Sequence, residues 1–388
     1  MSGIVLSAAV RQNLLSLQST AELLSTTQNR LASGKKVNTA LDNPTNFFTA
    51  QGLDNRASDI NNLLDAIGNG VQVLQAANTG ITSLQKLVDT ARSIANQVLQ
   101  TTVGYSPKST VSSSAALGGT AANLVDGVTI KAGDVLTIAA TGGGTPTSIT
   151  FGANESLDQL NAALAPNNLS AGLDANNKLV ITTLNDAASK TIGAVTYTNS
   201  GGGTVTFGAV NPPIADVNSQ VTRANLVAQY NNIIAQITTT SQDASFNGIN
   251  LLNGDDLKLT FNETGKSTLN IRGVTYDAAG LGLAPLTAGT DFLDNDSAKA
   301  VIAKISLASD VLRSEASSLG SNLSIVQIRQ DFSKNLIIVL QTGSANLTLA
   351  DSNEEAANSQ ALSTRQSIAV SALALSNQSQ QSVLKLLQ

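Results

Sequence analysis

The stretch INNLLDAIGNGVQVLQAANTGI, residues 60–81, decides the fold because its apolar residues recur every three or four positions without a proline. With Ile60 at heptad position a, the same register continues to Val98. All twelve a and d sites are non-polar: Ile60, Ile67, Leu74, Ile81, Val88 and Ala95 at a, and Leu63, Gly70, Ala77, Leu84, Ala91 and Val98 at d. This repeat predicts a coiled-coil helix of roughly 60 Å. Half of the d sites are Gly or Ala, so a partner helix can approach closely.

The composition limits both the core and the chemistry. Aromatic residues make up 3% of the 388 residues and Trp is absent, so we expect a core of small, close contacts. Cys and His are both absent, which excludes thiolate nucleophiles, disulfides, Ser-His-Asp catalysis and nearly all zinc sites. We therefore expect a protein that is not an enzyme and holds no cofactor or metal.

The charge and hydropathy patterns exclude two classes of partner. The net charge is −5 and no basic stripe carries interleaved aromatics, so nucleic acid is not expected as a partner. No apolar run approaches the roughly 18 residues of a membrane span, so we expect no membrane insertion. The first residues lack the basic segment and apolar core of a cleaved signal peptide, so export would use another route.

Helical periodicity returns on both sides of a β-rich middle segment. An N-terminal stripe from Ile4 to Leu31 predicts a helix that ends at Gly34, which suits a left-handed cap. Asn43 and Pro44 then suit the N-cap and first residue of the long helix. Three further helices are predicted, over about 222–240, over about 297–340 and from about 351. The inward face of the first would carry Leu226, Tyr230, Ile233 and Ile237.

The middle segment has the pattern of a compact α+β module. Strands are predicted at 127–133, 134–140, 148–152, 178–183, 194–198 and 204–208, a helix at 155–165, and a hairpin turn at 173–179. A separate β-hairpin is predicted from alternation in 257–261 and 268–271.

The two terminal helices raise the question of what covers them. The long helices near each end can pack on each other, but the helices before Gly34 and after Asp351 are amphipathic with no core-forming segment beside them. An exposed apolar stripe of this size marks an interaction surface. We expect other copies of the chain to cover it.

Three motifs in this order resemble bacterial flagellin. NRLASGKKVNTALDNP, residues 29–44, resembles the flagellin N-terminal signature, and ASFNGINLLNG, residues 244–254, resembles its Phe-Asn-Gly turn. The stretch from ADSNEEAANSQ to QQSVLKLLQ, residues 350–388, resembles the C-terminal helix, although the family commonly ends in Leu-Leu-Arg and this chain ends in Leu-Leu-Gln.

The resemblance implies a fold that is mainly α with a β-rich insert: a long antiparallel coiled-coil rod formed by both chain ends, with a small α+β outer domain. Its domains would be inner terminal helices at 1–43 plus 346–388, a rod with a β-hairpin at 44–103 plus 219–345, and a variable outer domain at 104–218. In the best-known members the first two rod helices are nearly continuous and the outer domain follows the hairpin. Here the insert falls between those helices, so we expect an outer domain attached at an unusual place.

The resemblance also implies a structural subunit that polymerises into the flagellar filament for swimming motility. The residues expected to pack in the inner core are Leu14, Leu24, Ile368, Leu375 and Leu386. Those expected to form the rod seam are Ile60, Ile67, Leu74, Ile81, Leu84, Val88, Leu312 and Leu319.

Partners and location follow from the same resemblance. The chain would contact itself as a helical homopolymer, hook-associated and cap proteins, and an export chaperone that binds its C-terminal helix. It would be extracellular, in the bacterial flagellum, after type III export without a cleaved signal peptide. Flagellins recognised by Toll-like receptor five carry a Leu-Gln-Arg-Val-Arg-Glu-Leu run; here the corresponding stretch is VDTARSI, where Asp89 and Thr90 replace the glutamine and first arginine and Arg92 matches the second. We expect weak or no recognition.

Two alternatives share these features. A hook–filament junction (hook-associated) protein has the terminal motifs and rod plan but does not build the filament. A glycan-binding adhesin module on a flagellin scaffold would place its function in residues 104–218.

Overall fold

The computed structural model describes residues 8–386, apart from the side chains of residues 380 and 383–386. Its helices are α1 (Ala8–Ser33), α2 (Pro44–Gln100), α3 (Leu157–Leu164), α4 (Val217–Asp243), α5 (Asn295–Thr348) and α6 (Ser352–Leu386). Its strands are β1 (Thr110–Ser112), β2 (Val135–Ile138), β3 (Thr147–Thr150), β4 (Leu169–Leu173), β5 (Leu179–Thr183), β6 (Val195–Thr198), β7 (Leu257–Thr260) and β8 (Thr268–Ile271). The β-containing insert lies between α2 and α4, as predicted.

The predicted helix boundaries at the first connector are confirmed. Gly34 follows the last residue of α1 with φ +67°, the left-handed conformation that glycine adopts without a Cβ penalty. The side-chain oxygen of Asn43 accepts a hydrogen bond from the amide of Asn46 at 3.0 Å and caps α2. α5 is longer than predicted and continues to Thr348, because buried Leu340 and Ser344 extend its inward face.

The chain divides into two compact units. The first comprises residues 1–70, 258–269 and 325–388, and the second comprises residues 71–257 and 270–324. α2 and α5 each contribute residues to both units.

In the first unit, α2 and α5 pack in antiparallel directions. Ala57 and Ile60 of α2 share a buried cluster with Ile337 and Leu340 of α5. The heptad register predicted for α2 matches its burial, since every a and d site is buried except Leu63, which is half-buried. Each large aliphatic side chain buried in this way stabilises the fold by roughly 1.5–3 kcal/mol.

The small d site at Gly70 serves a different purpose from the one expected. The space beside it is filled by the side chain of Leu259 from β7, so that a Cβ at Gly70 would overlap this leucine. β7 and β8 form the predicted two-stranded hairpin. The guanidinium of Arg329 lies 5.6 Å from the ring centroid of Phe261, and Arg56 forms an ion pair with Glu263 at 2.8 Å. Gly70 therefore admits the hairpin, where we had expected a closely packed helix.

In the second unit, α4 buries Leu226, Tyr230 and Ile237 as predicted. The prediction for Ile233 is wrong in register, since Ile234 is the buried residue and Ile233 is only half-buried. The buried positions step by 4, 4 and 3 residues where steps of 4, 3 and 4 were predicted, and both patterns are compatible with 3.6 residues per turn.

A buried arginine ties the base of the insert to the helices. Arg223 of α4 is almost fully buried, and its Nε donates to the carbonyl of Thr102 at 2.7 Å. Nη1 donates to the carbonyl of Phe292 at 2.6 Å, and Nη2 donates to those of Val98 and Thr101 at 3.1 Å each. Burial lowers the pKa of this guanidinium, and nearby Asp294 opposes that change. The cation satisfies the last carbonyls of α2, where the helix dipole favours positive charge.

The insert is an α+β module with two three-stranded antiparallel sheets. Their strand orders are β1-β5-β4 and β3-β2-β6. α3 begins at a capping box between Ser156 and Gln159 and buries Leu160 and Leu164 in the shared core. Predicted strands at 134–140, 148–152, 178–183 and 194–198 are confirmed, as are the helix and the turn between β4 and β5.

Two predicted strands are wrong and two strands were missed. Residues 127–133 form a loop because the carboxylate of Asp126 accepts hydrogen bonds from the amides of Val128, Thr129 and Ile130 at 2.7–3.2 Å. Residues 204–208 make only an isolated bridge, and β1 and β4 are the missed strands.

We expect Asp126→Asn to loosen the insert at neutral pH. Burial alone would raise the pKa of this carboxyl, but hydrogen bonds from the Thr129 hydroxyl and from those three amides lower it to about 2. The pKa of this carboxyl in the unfolded chain is about 4. Because the folded pKa is lower, the ionised carboxylate stabilises the fold above pH 4, and this stabilisation is lost as the pH falls towards 2. Amide hydrogen exchange in residues 101–216 should be about fivefold faster in the variant at pH 6, after discounting for solvent screening.

The difference between the two proteins should become much smaller near pH 2, where about half of the Asp126 carboxyls are neutral. Asp158→Asn also removes one charge, from the exposed first turn of α3, and should change the exchange by less than about twofold at both pH values, since only the weak helix-dipole interaction is lost. Equal exchange in the Asp126 variant and the unmodified chain at pH 6 would show that the loop does not depend on this carboxylate.

Candidate functional site

The two terminal helices pack against each other in the first unit. α1 runs along α6, and the half-buried or buried positions of each helix recur at intervals of three and four. On α1 they are Val10, Asn13, Leu17, Thr20, Leu24, Thr27 and Arg30, with half-buried Ala21 next to Thr20, and on α6 they are Glu355, Ser359, Leu362, Gln366, Ala369, Leu373 and Ser376. This heptad spacing is that of a two-stranded coiled coil.

An ion pair sets the direction and register of the helix pair. Arg30, in the last turn of α1, lies 3.3 Å from the carboxylate of Glu355, in the first turn of α6. Each charge also sits at the helix end whose dipole favours it. Beyond the pair, the amides of Lys36 and Val37 donate to the carbonyl of Thr348 and join the first connector to the end of α5. The helices are therefore antiparallel.

The seam between α1 and α6 is only partly apolar. Asn13, Thr20 and Thr27 occupy every second site on α1, and Ser359 and Gln366 lie in the facing row of α6. Polar side chains in a coiled-coil seam specify register at a cost in stability. This pair is accordingly less well stabilised than the fully apolar seam of α2.

The predicted inner-core residues lie mostly on the outward faces of this pair. Leu14 is 39% exposed, Ile368 64% and Leu375 70%. Leu24 is half-buried between the two helices, and Leu386 ends α6 with a side chain outside the described part. The expectation that no core-forming segment lies beside the terminal helices is wrong, because each helix covers one face of the other. The apolar residues of the opposite faces stay exposed.

The predicted rod residues all lie in buried positions. Their exposed fraction is 2% or less in every case: Ile60, Ile67, Leu74, Ile81, Leu84, Val88, Leu312 and Leu319.

The three positions of the altered receptor motif lie together on the exposed side of α2. Asp89, Thr90 and Arg92 are exposed, and Asp89 and Arg92 line a shallow polar depression with Asn96. The Thr90 hydroxyl donates to the carbonyl of Lys86 at 2.9 Å, within its own helix.

An exposed row on α5 was missed by the sequence analysis. Ile325, Ile328, Phe332 and Val339 are exposed, and they lie on a different side of α5 from its buried face. A search for a second heptad register in residues 295–348 would have found it.

The described residues contain no grouping of three acidic side chains suited to a metal ion. None of the described helices combines the length and hydropathy that a bilayer crossing requires.

Comparison with protein families gives two matches, one at each end. Residues 5–124 match the bacterial flagellin N-terminal helical region, and residues 302–387 match the bacterial flagellin C-terminal helical region. Together the matches cover more than half of the chain.

Curated relatives agree with these matches. Flagellin FljM of Caulobacter vibrioides is 33% identical over 163 residues, which is 42% of this chain and 58% of the relative. Flagellin FljK of the same organism is 32% identical over the same shares. Flagellin A of Rhizobium meliloti is 38% identical over 87 residues, 22% of each chain. The chain thus spans about 58% of the length of the first curated relatives it matches.

Proposed function

Because the chain belongs to the bacterial flagellin family, we propose that it is a structural subunit that polymerises into the flagellar filament and serves swimming motility. The observation that carries the proposal is the exposure of large apolar side chains on the outward faces of α1 and α6. Because the seam between these helices is partly polar, the stability of the pair depends on burial of its apolar outward faces as well. Neighbouring copies would supply it.

A polymer suits these surfaces better than a closed dimer. The outward faces belong to two different helices, so α1 and α6 of one copy would meet different surfaces of its neighbours. Contacts of this heterologous kind that do not close into a ring generate a filament. Each large aliphatic side chain buried there would contribute roughly 1.5–3 kcal/mol.

In this proposal the domains divide as the sequence suggested. Residues 1–43 and 346–388 form the inner zone, 44–103 and 219–345 form the rod, and 104–218 form the outer domain. Leu14, Ile368 and Leu375 pack between copies, whereas half-buried Leu24 holds α1 to α6. Leu386 belongs to the same zone by its position at the end of α6.

Further partners and the location are proposed from family membership. The subunit would meet hook-associated and cap proteins, and an export chaperone would hold its C-terminal helix before assembly. It would act outside the cell, in the flagellar filament. The family is one of structural proteins, which supports a role without catalysis.

Seeded polymerisation of the full chain tests the proposal. Purified protein, added to short filament fragments, should grow polymers of indefinite length that are visible by electron microscopy. A hook–filament junction protein would add a layer of fixed length and stop. Failure to elongate any seed, by a chain whose helical content is intact, would contradict the filament role.

We expect the monomer to activate Toll-like receptor five weakly or not at all. Arg92 is exposed, but the Thr90 hydroxyl bonds to its own helix, and Asp89 places a negative charge where the recognised run has a neutral glutamine. A reporter cell line should respond more strongly to Thr90→Arg combined with Asp89→Gln than to the unmodified chain. A full response to the unmodified chain would refute this expectation, and Thr82→Arg, also exposed on α2, is the control for an added positive charge.

A further inference from the structure

The chain enters and leaves the insert through two segments that lie side by side. The amide of Ser106 donates to the carbonyl of Ile214 at 2.9 Å, and the amide of Ile214 donates to the carbonyl of Pro107 at 2.9 Å. A two-stranded ribbon is marginally stable by itself, so it does not fix the direction of the module that it carries. The orientation of the insert therefore depends on any further contact with the helices of the second unit.

Such a contact joins residues 185–190 of the insert to the start of α5. The hydroxyl of Ser189 donates to the carboxylate of Asp294 at 2.5 Å, across 105 residues of sequence. The ammonium of Lys299 lies 2.5 Å from the carboxylate of Asp186, across 113 residues. All four residues belong to the second unit. We define the latch as these four residues, Asp186, Ser189, Asp294 and Lys299.

Asp294 connects the latch to the fold of the helices. Its side chain is buried, and while one carboxylate oxygen accepts from Ser189, the other accepts from the amide of Ser297 in the first turn of α5 at 3.0 Å. The buried guanidinium of Arg223 interacts with this carboxylate electrostatically. A buried charge that loses a hydrogen-bond partner is destabilised. The same carboxylate therefore holds Ser189 and caps α5.

Lys299 is the counterion of a contact that is otherwise acidic. Asp296, in the first turn of α5, adds a third carboxylate beside Asp186 and Asp294. Burial raises the pKa of Asp296, repulsion from Asp186 adds to this effect, and Lys299 opposes it. The charged side chain of Lys190 lines the same cleft. Salt screens the pair of Lys299 and Asp186, which is partly exposed, more than the buried bond to Asp294.

We propose that the latch is a conformational device that holds the insert in one orientation on the second unit, and that opening it leaves the insert folded but free to turn on its two-stranded ribbon. The insert would stay folded because the core cluster that contains Leu136, Leu160 and Ile181 is formed by its own residues. The inference goes beyond the proposed function, since it concerns the single chain and needs no polymer.

Amide hydrogen exchange in the monomer tests whether the latch opens without unfolding. In Ser189→Ala, the amides of Ala187 and Lys190, which bond within residues 184–190, should exchange about tenfold faster or more, because a hydrogen bond to a charged group is lost. Exchange in β2 and β5 should not change. Ser148→Ala, which removes an exposed hydroxyl from β3, is the matched control and should leave both regions unchanged. Unchanged exchange at residues 187 and 190, or equal acceleration in β2 and β5, would overturn the inference.

A distance measurement tests the orientation itself, and the absence of cysteine from the chain makes labelling specific. Ala162→Cys and Ala303→Cys place spin labels on exposed positions of α3 and α5. Double electron–electron resonance should give one narrow distance distribution for the labelled monomer.

Two further variants separate the latch from a general effect of charge. Ser189→Ala combined with Lys299→Asp should replace the narrow distribution by a broad one, whereas Ser148→Ala combined with Lys304→Asp, on exposed α5 surface, should keep it narrow. Exchange of the two charges, in Lys299→Asp combined with Asp186→Lys, should also keep it narrow. A distribution that is already broad with the latch intact, or that stays narrow in the first variant, would refute the latch and leave the proposed function untouched.

Discussion

A chain that lacks residues 1–34 is expected to remain a folded monomer and to lose polymerisation on filament seeds altogether. The deletion removes α1, and with it both the outward apolar residues of that helix and the partner that covers the inward face of α6. Deletion of residues 352–388 should have the same effect from the other side. Every contact between copies would lose several apolar side chains, each of which contributes roughly 1.5–3 kcal/mol. A loss of this size is enough to prevent assembly at micromolar protein concentration.

Sedimentation and electron microscopy measure the outcome, and circular dichroism verifies that α2 and α5 stay helical. The control removes a longer segment elsewhere: residues 107–213 replaced by a short Gly-Ser turn. The insert is suited to this excision because the amide of Ser106 donates to the carbonyl of Ile214 at 2.9 Å, which places its two ends side by side. The control should still polymerise. Normal filaments from either terminal deletion would refute the proposed role of the terminal helices.

Ile81→Asp is expected to destabilise the monomer by at least about 3 kcal/mol. Ile81 is fully buried at an a site of α2, so the substitution removes a buried aliphatic side chain and places an unpaired carboxylate in an apolar seam. Chemical denaturation, followed by the helical signal in circular dichroism, should show a lower midpoint. Because a buried carboxyl group without a partner becomes neutral more readily than an exposed one, the loss should be smaller in acid.

Thr82→Asp is the matched control, one residue further along the same helix on its exposed side. It should change the free energy of unfolding by no more than about 0.5 kcal/mol, as expected for surface substitutions. Equal destabilisation by the two substitutions would mean that the heptad register of α2 is wrong.

Local periodicity made the helices predictable. The a and d sites of α2 were assigned from spacing alone, because a helix places residues three and four apart on one face wherever that face packs. Gly34 and Asn43 marked the connector for a similarly local reason, since their chemistry acts within a few residues of the chain.

The insert was less predictable because its strands depend on partners distant in sequence. β5 was recognised from its own alternation, but it pairs with β1 and β4, both of which were missed. Residues 127–133 have the composition of a strand, and the side chain of Asp126 holds their amides in a loop instead. A short side chain that bonds nearby amides offers the backbone an alternative to a sheet.

The sequence by itself therefore determined which segments are helical, which face of α2 is buried, where the insert begins, and the family to which the chain belongs. Only the tertiary structure decided that a partly polar seam joins α1 to α6, that Gly70 admits Leu259, and that Arg223 joins the base of the insert to the end of α2. It also decided which of the two apolar rows of α5 faces α2 and which remains exposed. The physical reason is range: periodicity and caps act within a few residues, whereas the choice between two usable faces depends on what distant segments bring against them.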